Sequence, residues 1–210
     1  MAKGGEFERK MSKELSLYIT NGKDPDAVWH TKGSGGRATK RKKLNQVNKK
    51  YEHGDLGPDD PKVNYFFDFF NGELKTGYAK TNKSKITNIT RVNQWCVLDL
   101  LDSPRQQIPM FYDFWNQILV DSEASGREPL LIFRRLRKEP CIAMHLDIFD
   151  KISENILNKE VSFDILTVKL AEYPYLIAIC NMREFYKWSM GIMTENFIKR
   201  KLKQVIERRL

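Results

Sequence analysis

Glu73-Leu74-Lys75 closes the segment Phe66-Phe67-Asp68-Phe69-Phe70-Asn71-Gly72-Glu73-Leu74-Lys75, and an isolated acid, Asp55, precedes it within Gly54-Asp55-Leu56-Gly57. On a strand, residues i and i+2 project to the same side. Glu73 and Lys75 therefore point together, with the backbone carbonyl of Leu74 between them. Two carboxylates and a carbonyl are hard oxygen donors suited to Mg²⁺. A lysine beside them could orient an attacking water or help deprotonate it. The bland alternative is a solvated charged strand face for Glu-x-Lys and a simple turn for Gly-Asp-Leu-Gly. Asp59 and Asp60 compete for the aspartate's role, although Asp59-Asp60-Pro61 reads as another turn. Asp68 has odd-numbered spacing from Glu73 and would face the other side of a regular strand.

The elements that must position these side chains can be read from periodicity. Phe7, Met11, Leu15 and Tyr18 give one apolar face to a helix over 6–18, which Asn21-Gly22 ends. A short strand over 27–30 leads to the loop Gly33-Ser34-Gly35-Gly36, where backbone amides lie open to approach. Residues 63–76 read as one or two strands, strongly aromatic and β-prone. Ile108, Phe111, Phe114, Trp115, Ile118 and Leu119 predict a helix over 105–125, stopped by Gly126. Leu130-Leu131-Ile132-Phe133 is a strand buried on both faces, and Lys138-Glu139-Pro140 turns it into a second strand over 141–144. Residues 148–171 read as mainly helical with a break near Val161, followed by a strand over 175–180, a short helix over 183–188 and an amphipathic basic helix over 193–210. The expected fold class is α/β, a mixed central β-sheet flanked by helices with C-terminal helical additions.

Composition bounds the partners. The chain has 210 residues, 41% hydrophobic and 11% aromatic, enough for one sizeable globular domain. Lys and Arg number 36 against 27 Asp and Glu, a formal charge of +9, which points to a polyanionic partner such as nucleic acid. The dense basic run Arg37, Lys40, Arg41, Lys42, Lys43, Lys49 and Lys50 reads as a phosphate-contacting arm rather than an ordinary solvated surface. No apolar run is long enough to span a bilayer, and the segment 1–6 lacks the apolar core of a secretory signal, so a cytoplasmic protein is expected, in the host cytoplasm if the source is viral. A membrane-surface role for the basic C-terminal helix is the weakest alternative, because that helix has few large aromatics. Cys96, Cys141 and Cys180 form no CxxC pair, and His30, His53 and His145 match no metal-binding spacing. The absence of a G-x-x-x-x-G-K-[ST] loop argues against nucleotide-driven chemistry.

The opening Lys3-Gly4-Gly5-Glu6-Phe7-Glu8-Arg9 resembles that of archaeal- and phage-type Holliday junction resolvases, members of the PD-(D/E)XK nuclease superfamily. Glu8-Arg9, Gly33-Ser34-Gly35, Asp55 and Glu73-Leu74-Lys75 stand in that family's order, and Gly126 to Arg134 is similar to its helix-to-strand junction. The resemblance covers most of residues 3–146. It implies a restriction-endonuclease-like core over residues 1–190, with insertions at about 77–104 and 147–173, and an additional basic helix over 191–210. It further implies a metal-dependent DNA endonuclease acting on four-way junctions as a homodimer. Asp55, Glu73 and the Leu74 carbonyl would hold Mg²⁺, for which Mn²⁺ would substitute. Glu8 would complete the acidic cluster directly or through water, and Lys75 would position the nucleophilic water. DNA contacts would come from Arg9, His30, Lys32, Ser34, Arg37, Lys40, Arg41, Lys42 and Lys43. His30 stands where the family commonly has arginine, which weakens one such contact. A restriction- or repair-type nuclease of the same superfamily and a non-catalytic basic nucleic-acid-binding protein are the competing readings.

Overall fold

The computed structural model of the chain describes residues 3–30, 51, 53–76, 90–92, 107–135, 138–156, 160–171 and 173–207. Helix α1 (Lys3–Ile19) buries Phe7, Met11, Leu15, Tyr18 and Ile19 along one stripe. Asn21 and Gly22 take positive φ after it, and the Gly22 amide donates to the Leu17 carbonyl at 2.6 Å, a Schellman-type end. Strand β1 (Val28–His30) pairs antiparallel with β2 (Leu56–Pro58) in a small two-stranded sheet.

The aromatic run diverges from the expected strand. Pro61–Val63 forms a 3-10 turn capped by the Asp60 carboxylate, and Asn64–Phe69 is helix α2. Only Phe70–Thr76 is extended, as β3. Val63, Phe66, Phe67 and Phe70 are all buried, which is a helical spacing that leads into the strand. Aromatic β-propensity yields to packing, because this turn of helix drives Phe66 and Phe67 into the core beneath α1.

Short strands β4 (Thr90–Val92) and β5 (Gln107–Pro109) pair parallel with each other. Helix α3 (Met110–Ser125) follows, so the expected helix over 105–125 loses its first turn to β5. Next come β6 (Glu128–Arg134), β7 (Cys141–His145) and helix α4 (Leu146–Glu154). The helical reading of 148–171 is wrong beyond α4, since Ile165–Lys169 is strand β8. Leu166 and Val168 within it, and Leu170 just after it, recur every second position, the period of a strand. Strand β9 (Leu176–Asn181) and helix α5 (Met182–Ser189) follow as expected. The C-terminal basic segment is helical in three consecutive parts: α6 (Glu195–Phe197), a π-helical turn (Ile198–Leu202) and α7 (Lys203–Glu207).

The main sheet has five strands in the order β3-β6-β7-β9-β8. β3 and β6 are parallel, and every other neighbouring pair is antiparallel. This mixed sheet flanked by helices is the architecture the sequence predicts. β6 is buried on both faces, as its continuous apolar run requires. Leu130 and Ile132 pack with α1, α2, α4 and α5, whereas Leu131 and Phe133 pack beneath α3. Each such fully buried aliphatic contributes about 1.5–3 kcal/mol. A buried polar group lies under α3 as well. There the His145 ring is 2.7 Å from the Glu128 carboxylate through Nδ1, meets the Tyr173 hydroxyl through Nε2, and receives Trp115 edge-on. Among the described residues, no helix is long and apolar enough to cross a membrane.

Candidate metal centre

The β3 edge away from β6 is where the sequence motifs meet. Glu73 and Lys75 share the face toward α3, because their register partners Leu131 and Phe133 belong to the core under that helix. The Asp55 amide donates to the Gly72 carbonyl at 2.8 Å, and the Leu74 amide donates to Asp55 Oδ2 at 2.9 Å. Asp55 is thus sewn onto the outer edge of the strand that carries Glu73. Residue 74 directs its N–H to that edge, and a strand residue's N–H and C=O point the same way, so the Leu74 carbonyl faces the edge too.

Gly54 makes this approach possible. Its φ is +92°, and a Cβ there would lie 2.6 Å from the Gly72 carbonyl oxygen and 2.6 Å from Asn71 Oδ1. Any other residue would push the loop away from β3.

Asp55 and Glu73 are each only 3% exposed. Each carboxyl group acts electrostatically on the other, Lys75 Nζ donates to Glu73 Oε1, and Gln117 Nε2 of α3 donates to the same oxygen at 3.2 Å. Burial is the largest cause that pushes the Asp55 carboxyl up, to about 8, and the Glu73 charge adds to it; the Leu74 amide and Lys75 act in the opposite direction. Burial also raises Glu73, opposed chiefly by Lys75. A carboxyl–carboxylate pair out of water holds a proton between its oxygens. A divalent cation would neutralise the same charge with the same oxygen donors, so the residues present fit a hard metal ion.

Glu8 on α1 is half-buried and adds negative potential at Asp55. Among the described residues, no group of three or more His, Cys, Asp and Glu side chains is placed to hold a metal ion, so the two carboxylates and Lys75 are the assembled part. Arg9 is exposed on α1, its Nε bonded to the Gly5 carbonyl at 3.2 Å. His30 is half-buried on β1, opposite Leu56, the residue after Asp55. Lys32, Ser34, Arg37, Lys40, Arg41, Lys42 and Lys43 lie outside the described residues. Of the competitors, Asp60 caps the 3-10 turn, and Asp68 of α2 accepts the Tyr51 hydroxyl at 2.6 Å.

Two residues of α3 escaped the sequence reading. Gln117 and Asp121 sit four apart, on one face of that helix. Burial raises the Asp121 carboxyl, opposed by His53, Lys75 and Arg127, while Asp121 in turn raises Glu73. Polar residues at i and i+4 beside the apolar stripe of α3 were the available signal.

A mixed sheet flanked by helices, with an acid pair and a lysine on its β3 edge, is consistent with a PD-(D/E)XK nuclease-like core. Residues 100–195 match a family model described as "Phage putative PDDEXK endonuclease", which supports the PD-(D/E)XK superfamily and a nuclease of that type. The matched segment contains Gln117, Asp121 and the β6–β7 hairpin, and begins after Asp55, Glu73 and Lys75. No curated protein and no solved structure matches the chain.

Proposed function

We propose that the chain is a Mg²⁺-dependent, structure-selective DNA endonuclease that hydrolyses phosphodiester bonds, with the four-way junction as its substrate and a homodimer as its working form. The observation that carries this reading is the buried Asp55–Glu73 pair beside Lys75 on the edge of β3. The resemblance of the segment from Lys3 to Arg9 to junction resolvases supports the substrate.

Asp55, Glu73 and the Leu74 carbonyl would hold the metal, with Glu8 reaching it through water. When bound, a divalent cation supplies Lewis-acid polarisation of the phosphoryl oxygen and a more acidic water. The protein's own groups do the rest. Lys75, tied to Glu73, directs an ammonium at the charge that develops on the phosphate. Gln117 of α3 donates to the same Glu73 oxygen and helps to hold it in place. The basic run from Arg37 to Lys43, which lies outside the described residues, would supply sequence-independent phosphate contacts. Arg9, His30, Lys32 and Ser34 are further phosphate contacts in this reading.

The test is cleavage of labelled four-way junction, flap, linear duplex and single strand, in Mg²⁺ and in EDTA. Junction cleavage in Mg²⁺ alone, lost in Lys75→Ala with DNA binding retained, is expected. Wild-type cleavage by Lys75→Ala would remove the mechanism. Equal cleavage of all four substrates would leave a nuclease but remove the junction.

A further inference from the structure

Arg127 lies beside the metal centre without touching it. Gly126, at φ +65°, ends α3, and the Arg127 amide donates back to the Ser122 carbonyl at 3.0 Å, so the helix end fixes the backbone of Arg127. From there the guanidinium spans two segments that are distant in sequence. Nη1 donates to the Phe67 carbonyl at 3.1 Å, and Nη2 donates to the His53 carbonyl at 3.2 Å. Its centre sits 5.8 Å from the Tyr51 ring, and the Tyr51 hydroxyl is anchored to Asp68 of α2 at 2.6 Å.

These contacts bracket the approach to Asp55. On one side, His53 is held by Arg127. On the other, Asp55 is hydrogen-bonded to Gly72 and Leu74 of β3. Between them lies Gly54 in its left-handed conformation, a backbone with no side chain to brace it. The β3 hydrogen bonds hold one end of this short segment, and the Arg127 guanidinium holds the His53 carbonyl at the other. A planar guanidinium donates to two carbonyls at once, whereas a lysine ammonium in the same place lacks that fork.

We propose that Arg127 is the positioning residue of the metal centre: it latches the His53–Asp55 segment to α2 and the α3–β6 junction, and so holds the Asp55 carboxylate against Glu73. This rests on the proposed metal-binding role of Asp55 and Glu73. It also links the family-matched part of the chain, which contains Arg127, to an acid that lies outside it.

The test measures Mn²⁺ affinity by electron paramagnetic resonance for wild type, Arg127→Ala, Arg127→Lys and Val168→Ala. The last is a core truncation on β8 that matches a loss of stability without touching this segment. Supporting groups around metal ligands are worth about ten- to a hundredfold in affinity. Arg127→Ala is expected to weaken Mn²⁺ binding by about that factor, Arg127→Lys by less, and Val168→Ala not at all. If the alanine variant does not fold, a severalfold loss in Arg127→Lys carries the same conclusion. Wild-type affinity in the Arg127 variants, or an equal loss in Val168→Ala, overturns the proposal. If wild type binds no Mn²⁺, the metal reading itself fails, and hydrogen exchange at the Asp55 amide decides the latch. Faster exchange in the Arg127 variants alone supports it, and unchanged exchange overturns it.

Discussion

Asp55 accepts the backbone N–H of Leu74 at 2.9 Å, so the strand that carries Glu73 also fixes the carboxylate that faces it. The register of β3 thereby sets both acids. Lys75, two residues beyond Glu73, falls on the same face by the pleat alone.

Gln117 is the partner of Glu73 from α3, donating to Oε1 at 3.2 Å. Gln117→Ala removes one charge-assisted hydrogen bond and leaves Glu73 oriented by Lys75 and Asp55. Cleavage at fixed Mg²⁺ is expected to fall by about ten- to a hundredfold, with much of the loss recovered at higher Mg²⁺. A metal titration of initial rates measures this, and a rate equal to wild type throughout would return Gln117 to ordinary surface.

Gly54→Ala places a methyl group 2.6 Å from the Gly72 carbonyl at a φ of +92°. The clash is with backbone, so relief requires the Asp55 loop to leave β3. A loss of about 1–3 kcal/mol is expected, seen as a Tm lower by several degrees, together with loss of cleavage. An unchanged Tm would show that the loop is not seated as described.

The Asp55 carboxyl, raised from 3.8 to about 8 in the folded chain, links stability to pH. Between these values the folded state keeps a proton that the unfolded state has released. Stability from this group is therefore complete below about pH 4 and is lost as pH rises through about 8. In EDTA, wild type should lose stability over that window relative to Asp55→Asn, in chemical denaturation at a series of pH values. Parallel curves for the two proteins would contradict the buried acid pair. Metal binding has the opposite slope, because the cation displaces the shared proton and its affinity rises with pH.

How much of this was legible depends on what holds each part. Asp55, Glu73 and Lys75 were readable because the strand period pairs Glu73 with Lys75 and the motif order points to Asp55. Gln117, Asp121 and Arg127 were not, because their placement near the pair depends on where α3 and its C-terminal end lie across the sheet, a tertiary fact with no local code. The two misread segments fail for different reasons. In the run from Phe66 to Phe70 the four phenylalanines are β-prone, yet burial of Val63, Phe66, Phe67 and Phe70 selects one turn of helix. In 165–169 the period of two was present, but the strong helical period of Ile148, Phe149 and Ile152 masked the change of element.

The account stands or falls on whether the two acids share one cation. Crystals soaked in Mn²⁺ and measured for anomalous scattering test this directly. A single peak within about 2.2 Å of both an Asp55 and a Glu73 carboxylate oxygen is expected, with the Leu74 carbonyl on the same side. A peak bound elsewhere, or no peak at that pair under conditions that support cleavage, would contradict it.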